Sequence, residues 1–195
     1  MADQLLDGTG GGYLQKVGSD NRSQVRAVIE YEVIHRTENG DSFNWNTGLI
    51  SVSSDSALIY IKNSSDKQMV ITNIAMGIFD GLSYTDAPYL TVLRNPTAGD
   101  LISDATAVDM ASNRNAGSTL VTDGLVYKGK DGGTVSGGEN LGILLLGKTG
   151  RSFFEIDLIL TKGTSFALHL TGNISSGSAN VYAAFIGYYK DSEDI

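Results

Sequence analysis

The chain has 195 residues, of which 24 are glycine, 2 proline and none cysteine. That length supports one sizeable core and is short for two, and the lack of cysteine excludes disulfides, thiolate metal sites and cysteine catalysis. A net charge of -8 without a basic stripe argues against nucleic acid and anionic membrane surfaces as partners.

Hydrophobic residues make up 41% and charged residues 18%, which fits a packed domain rather than a disordered one. Short apolar runs separated by glycines predict an all-β chain, an antiparallel β-sandwich or jelly roll with an extended N-terminal arm. Residues 1–23 form the arm; Leu5, Leu6, Tyr13, Leu14 and Val17 are too sparse there for a core of their own. The opening MADQLLDGTGGGY has neither the basic region nor the apolar stretch of a signal peptide. The longest apolar run, Ile143 to Leu146, is far too short to span a bilayer.

Residues 24–195 form the sandwich domain. Gln24 to Arg36 alternates, with Val25, Ala27, Ile29, Tyr31, Val33 and His35 on one face and Arg26, Glu30, Glu32 and Arg36, with Val28 and Ile34 among them, on the other, which predicts a strand. Glu38-Asn39-Gly40-Asp41 then supplies an Asn-Gly turn. Phe43 and Trp45 lie in a short strand, and Leu49, Ile50 and Val52 in the next. In Ala57 to Phe79, two runs rich in β-branched and aromatic residues flank Ser64-Ser65-Asp66-Lys67, which predicts a hairpin. Neither face of the second run is fully polar, so the hairpin is expected to be central and covered on both sides, which requires a second sheet.

Asp80 to Ala87 reads as a loop, and Tyr89 to Arg94 as a strand stopped by Asn95-Pro96. Residues 97–119 read as irregular, with one short strand or helical turn. Leu125–Lys128, Leu141–Leu146, Phe153–Leu160, Phe166–Leu170 and Asn180–Tyr189 complete a set of ten or eleven strands with glycine turns between them. No longer window carries a helical stripe.

Few residues invite a chemical role. Gly142 to Thr149 fits the phosphate-binding pattern G-x-x-x-x-G-K-[ST], but Ile143-Leu144-Leu145-Leu146 suits a buried strand, and a turn into a strand is expected after Gly150 rather than the helix a phosphate loop needs. His35 and His169 both fall in expected strands, without the neighbours of a metal site or catalytic triad. Asp80, Asp86, Asp100, Asp104, Asp109, Asp131 and Glu139 lie in expected loops, where calcium binds, yet no calcium-loop spacing is present and solvated carboxylates are the simpler reading. Trp45 suits either the core or an aromatic platform for a sugar. Sequons occur at Asn21, Asn63 and Asn173.

Several stretches resemble a known group. Leu5-Leu6-Asp7-Gly8-Thr9-Gly10-Gly11-Gly12-Tyr13, followed by Val17 and Asp20-Asn21-Arg22, is similar to the opening of many tailed-bacteriophage structural proteins. So are Val92 to Gly99, Asn113 to Ser118, Lys128 to Thr134 and Leu160 to Phe166. The resemblance implies a virion protein of the jelly-roll capsid decoration (cement) type, assembled in the host cytoplasm. Its expected partners are the major capsid protein or other virion proteins and its own copies, as a trimer. On this reading Leu5, Leu6, Tyr13, Leu14, Lys16 and Arg22 touch the partner. No catalytic, cofactor-binding or metal-binding residue is implied. The alternative expectation is a receptor- or glycan-binding module of a tail fibre or spike, with Trp45 as its handle.

Overall fold

A computed structural model of the chain describes residues 32–79, 83–84, 87–103, 111–122, 124–146, 150–172 and 174–191. They belong to the second of the two units into which the chain divides, Glu32–Ile195. The first described element is a helix, α1 (Glu32–Glu38), where the alternation predicts the end of a strand. Its cap explains the difference. Gly40 sits at φ 81, the Asp41 amide donates to the Arg36 carbonyl, and the Gly40 amide donates to the Thr37 carbonyl. This is a glycine-terminated helix end, so Asn39-Gly40 closes a helix instead of turning a hairpin. Gln24–Tyr31 lies outside the described residues.

Thirteen strands follow among the described residues: β1 (Ser42–Asn46), β2 (Ile50–Val52), β3 (Ser56–Lys62), β4 (Gln68–Phe79), β5 (Ser83–Tyr84), β6 (Tyr89–Arg94), β7 (Ala111–Asn113), β8 (Leu125–Lys128), β9 (Glu139–Leu145), β10 (Gly150–Leu160), β11 (Ser165–Thr171), β12 (Ile174–Ser176) and β13 (Ala179–Lys190). A helical turn, α2 (Asp100–Ser103), precedes β7. One sheet has the order β10-β4-β13-β1-β7, with β2 also on β13; the other runs β8-β3-β11-β6-β9. β12 and β5 form a small ribbon from segments expected to be loops. Every named pairing is antiparallel.

The two halves of the expected hairpin do not pair. β3 lies between β11 and β8 in one sheet, and β4 between β10 and β13 in the other. Residues 63–67 are therefore an arch between layers. Asn63 holds it: its amide donates to the Lys67 carbonyl at 2.8 Å and to the Leu160 carbonyl at 2.9 Å, while its Oδ1 accepts from the Ser65 amide at 3.0 Å. The apolar character of both runs remains explained, because each strand is interior to its own sheet.

The two sheets bury their facing sides against each other. Phe43 and Trp45 of β1, Ile74, Met76 and Ile78 of β4, and Val181, Ala183 and Phe185 of β13 meet Ile59 and Ile61 of β3, Leu90 and Val92 of β6, and Phe166, Leu168 and Leu170 of β11. This is a two-layer, jelly-roll-like antiparallel sandwich with an apolar core. Trp45 is fully buried and rests on Phe43 and Tyr189 at ring separations of 5.7 and 6.0 Å. Its indole N–H donates to Thr122 Oγ1 at 3.0 Å, so the only polar atom of the ring is satisfied.

Candidate functional site

The alternation that sends Trp45 and Phe185 inward sends their neighbours to the outer face of the β4 sheet. Ala75 and Ala184, paired across β4 and β13, make a shallow floor. The Tyr182 ring lies over Gly77 where a side chain would otherwise stand, and it stacks on Phe79 with centroids 6.1 Å apart. Asn44 and Asn46 of β1 stand on one side, and Arg151 and Phe153 of β10 on the other. Together they line an open cavity of about 550 Å³, within the range of small-molecule sites.

Its polar groups are few and distinct. Asn46 Oδ1 accepts from the Gly48 amide at 3.0 Å. Asn44 Oδ1 is buried without a hydrogen-bond partner among the described residues. Arg151 takes part in none of the described ion pairs. Aromatic faces, two amides and one guanidinium suit a polyhydroxylated ring that carries a carboxylate.

A second feature lies at one margin of the sandwich. β9 ends one sheet and β10 ends the other, and only residues 146–149 separate them in sequence. Both are long edges, of 7 and 11 residues. Ile143 and Leu145 of β9 are 54% and 72% exposed, and Phe153 and Ile159 of β10 are 61% and 53% exposed. Inward residues of the same strands, Leu144, Phe154, Ile156 and Leu158, are only partly buried against the core. Long apolar edges left open in this way pair readily with other strands.

The residues singled out in the sequence fall elsewhere. Trp45 is in the core and cannot serve as a sugar platform. β9 runs as a strand to Leu145 and β10 begins at Gly150, so the G-x-x-x-x-G-K-[ST] stretch lacks the following helix of a phosphate loop. His35 is in α1, not a strand, and its ring Nε2 meets the Asn39 amide at 3.0 Å. His169 is half-buried in β11 beside Thr171; burial lowers its pKa, and Asp55 opposes that shift.

Of the carboxylates expected in loops, Asp100 opens the helical turn α2, Glu139 opens β9, and Asp131 clamps the Ser53–Ser54 turn. It accepts from the Ser53 hydroxyl and amide at 2.6 and 2.7 Å and from both donors of Ser54, which hold its pKa down to about 2. Asp100 accepts from the Thr134 hydroxyl and amide and pairs with Lys130, which keeps it well below the usual carboxylate range. Glu139 pairs with Arg94. No three His, Asp or Glu side chains converge as metal ligands would, among the described residues. Asn63 is buried and fully engaged, so its sequon cannot carry a glycan. Asp80, Asp86, Asp104, Asp109, Asn21, Asn173 and the arm residues Leu5, Leu6, Tyr13, Leu14, Lys16 and Arg22 lie outside the described residues.

Neither the cavity nor the apolar margin was visible in the sequence. Each draws its side chains from strands far apart in the chain. The class these observations define is an all-β sandwich with long apolar edge strands at β9 and β10. Compared with known proteins, the chain matches no family model and no curated sequence.

Proposed function

We propose that the protein is a non-enzymatic structural component of a bacteriophage virion, a capsid decoration protein that attaches to the head shell as a homo-oligomer. The observation that carries the adhesive part of this reading is the open β9–β10 margin. Exposed Ile143, Leu145, Phe153 and Ile159 give the sandwich a surface for its own copies. The virion part rests on the resemblance of the arm and of the stretches at Val92, Asn113, Lys128 and Leu160. In this scheme the arm lies on the major capsid protein, and joining several subunits adds weak arm contacts through effective concentration. Ordering the arm costs conformational entropy, which burial of Leu5, Leu6, Tyr13 and Leu14 offsets. Deleting residues 1–23 is expected to leave a folded body that no longer sediments with heads; undiminished binding would count against it. Electron microscopy of the particle should show the density on the head.

A specific observation favours a second reading, a glycan-binding module of a fibre or spike. That observation is the cavity with its aromatic walls and the Arg151 guanidinium, not Trp45. Density at a fibre tip, with glycan-array binding that disappears in Tyr182→Ala, would select it over decoration.

A further inference from the structure

We infer that two copies of this chain join edge to edge across a single twofold axis that passes beside Phe153 of β10 and Ile143 of β9. This deepens the self-association in the proposed function and does not depend on the virion assignment. It sets the subunit number at two or a multiple of two, where the resemblance implies three.

The first argument is the pattern on β10. Arg151, Phe153 and Glu155 follow one another on its outward face, and their pairing with β4 is regular from Gly150 to Glu155. In an antiparallel pair of identical strands centred on Phe153, each Phe153 stands opposite its own copy. Arg151 of one copy then stands opposite Glu155 of the other, twice per dimer. Directly opposed aromatic and opposite-charge pairs are the favourable ones in a sheet. Moving the centre by one residue in either direction sets the Phe153 ring against a charged side chain. Moving it two residues towards the C-terminus sets Glu155 against Glu155. The strand therefore selects its own register.

The second argument is the other layer. A dyad perpendicular to one sheet also relates the edges of the sheet beneath it. There β9 presents Leu141, Ile143 and Leu145. Centred on Ile143, this edge sets Ile143 against its copy, while the bulge at Leu141 breaks the strand's register towards its N-terminus. Ile143 and Phe153 are equally spaced in sequence from position 148, so a single axis is expected to serve both edges. Ile143, Leu145 and Phe153 bring exposed apolar surface to this seam, and backbone pairing along the two edges adds to it.

The chain has no cysteine, which makes a direct test simple. In Phe153→Cys, a disulfide can form only between two copies. Opposed residues of an antiparallel pair bring their Cα atoms to about 5 Å, a separation a disulfide spans. Mild oxidation of Phe153→Cys is expected to give a covalent dimer at least about tenfold faster than Ile159→Cys, whose thiol has no copy opposite it. Equal rates for the two variants would overturn the dyad. Light scattering of the wild-type chain is expected to give twice the 20.7 kDa subunit mass; a mass of one or three subunits across the micromolar range would overturn it too. Arg151→Glu and Glu155→Arg should each weaken the dimer about tenfold, and the double reversal should restore it. Failure of that rescue removes the register. A dimer that forms as described and does not bind heads would sink the decoration reading alone.

Discussion

The two margins of the sandwich are built on different plans. At one, β7 and β8 are edge strands of only 3 and 4 residues, and side chains tie the chain around them to the body. Asn113 donates to the Gly40 and Leu120 carbonyls, Asn115 donates to the Glu38 carbonyl, Thr122 joins Trp45 to the Tyr189 hydroxyl, and Tyr127 stacks on Tyr60. At the other, β9 and β10 are long, apolar and open. Short, pinned edges resist pairing with foreign strands; long ones invite it. The difference is one of strand length and side-chain pinning: one side has short, tied edges, and the other has long, open ones.

The largest expected effect comes from removing the pin of the sealed margin. Trp45→Ala deletes a fully buried ring, two aromatic contacts and the anchor of Thr122. A loss of about 3–5 kcal/mol is expected in urea unfolding, the range for large aromatic truncations in a core. A loss below about 1 kcal/mol would mean that the sealed margin does not depend on this ring.

Next comes the attachment of β8. The Gly129 amide donates to the Leu58 carbonyl at 2.8 Å, and a Cβ on Gly129 would run into the carbonyl oxygen of Ala57. Gly129→Ala must push the end of β8 away from β3, at a cost of about 2 kcal/mol. It should also create a second open edge. Wild type and variant compared by light scattering should show new association above the wild-type mass; destabilisation without that association would show that strand length alone seals the margin.

Acid should loosen the same side. Asp131 has a folded pKa of about 2, below its value in the unfolded chain, so its contribution is complete above about pH 4 and is lost as pH falls towards 2. The carboxylate is exposed, and solvent screening limits the stabilisation to about 1 kcal/mol. Asp131→Asn should cost that much at neutral pH and flatten the melting-temperature profile between pH 4 and 2. Asp100 shifts in the same direction and adds to the wild-type slope.

Much of this architecture was legible in the chain, for local reasons. Tyr89–Arg94 and Leu125–Lys128 appear with their expected boundaries because alternation and flanking turns are short-range signals. The need for two layers followed from the two apolar faces of Gln68–Phe79. The partner of each strand was not legible. An apolar run, four polar residues and a second apolar run describe a hairpin and an arch equally well. What decides is the bond from Asn63 to the Leu160 carbonyl, 97 residues away. The helix at Glu32–Glu38 was hidden because a period of two over Gln24–Arg36 also fits its residues, while its cap, Asn39-Gly40, has the composition of a hairpin turn. The cavity was hidden because Ala75, Gly77 and Ala184 are inconspicuous until two strands set them side by side.

The smallest expected effect concerns the face between the margins, and its sign is opposite to the others. A buried acceptor without a donor costs stability, and replacing it by an apolar group of similar size is nearly neutral or stabilising. Asn44→Leu should therefore leave stability unchanged or raise it by about 0.5 kcal/mol. If Asn44 is there only as part of the scaffold, nothing else changes. If the cavity is a sugar site, Asn44 forms part of its wall, and the variant should lose glycan binding while keeping its dimer mass and its resistance to urea. That separation is possible because Asn44 lines the cavity but lies three strands from the β10 edge. An Asn44→Leu chain less stable than wild type would show that the amide already has a structural partner.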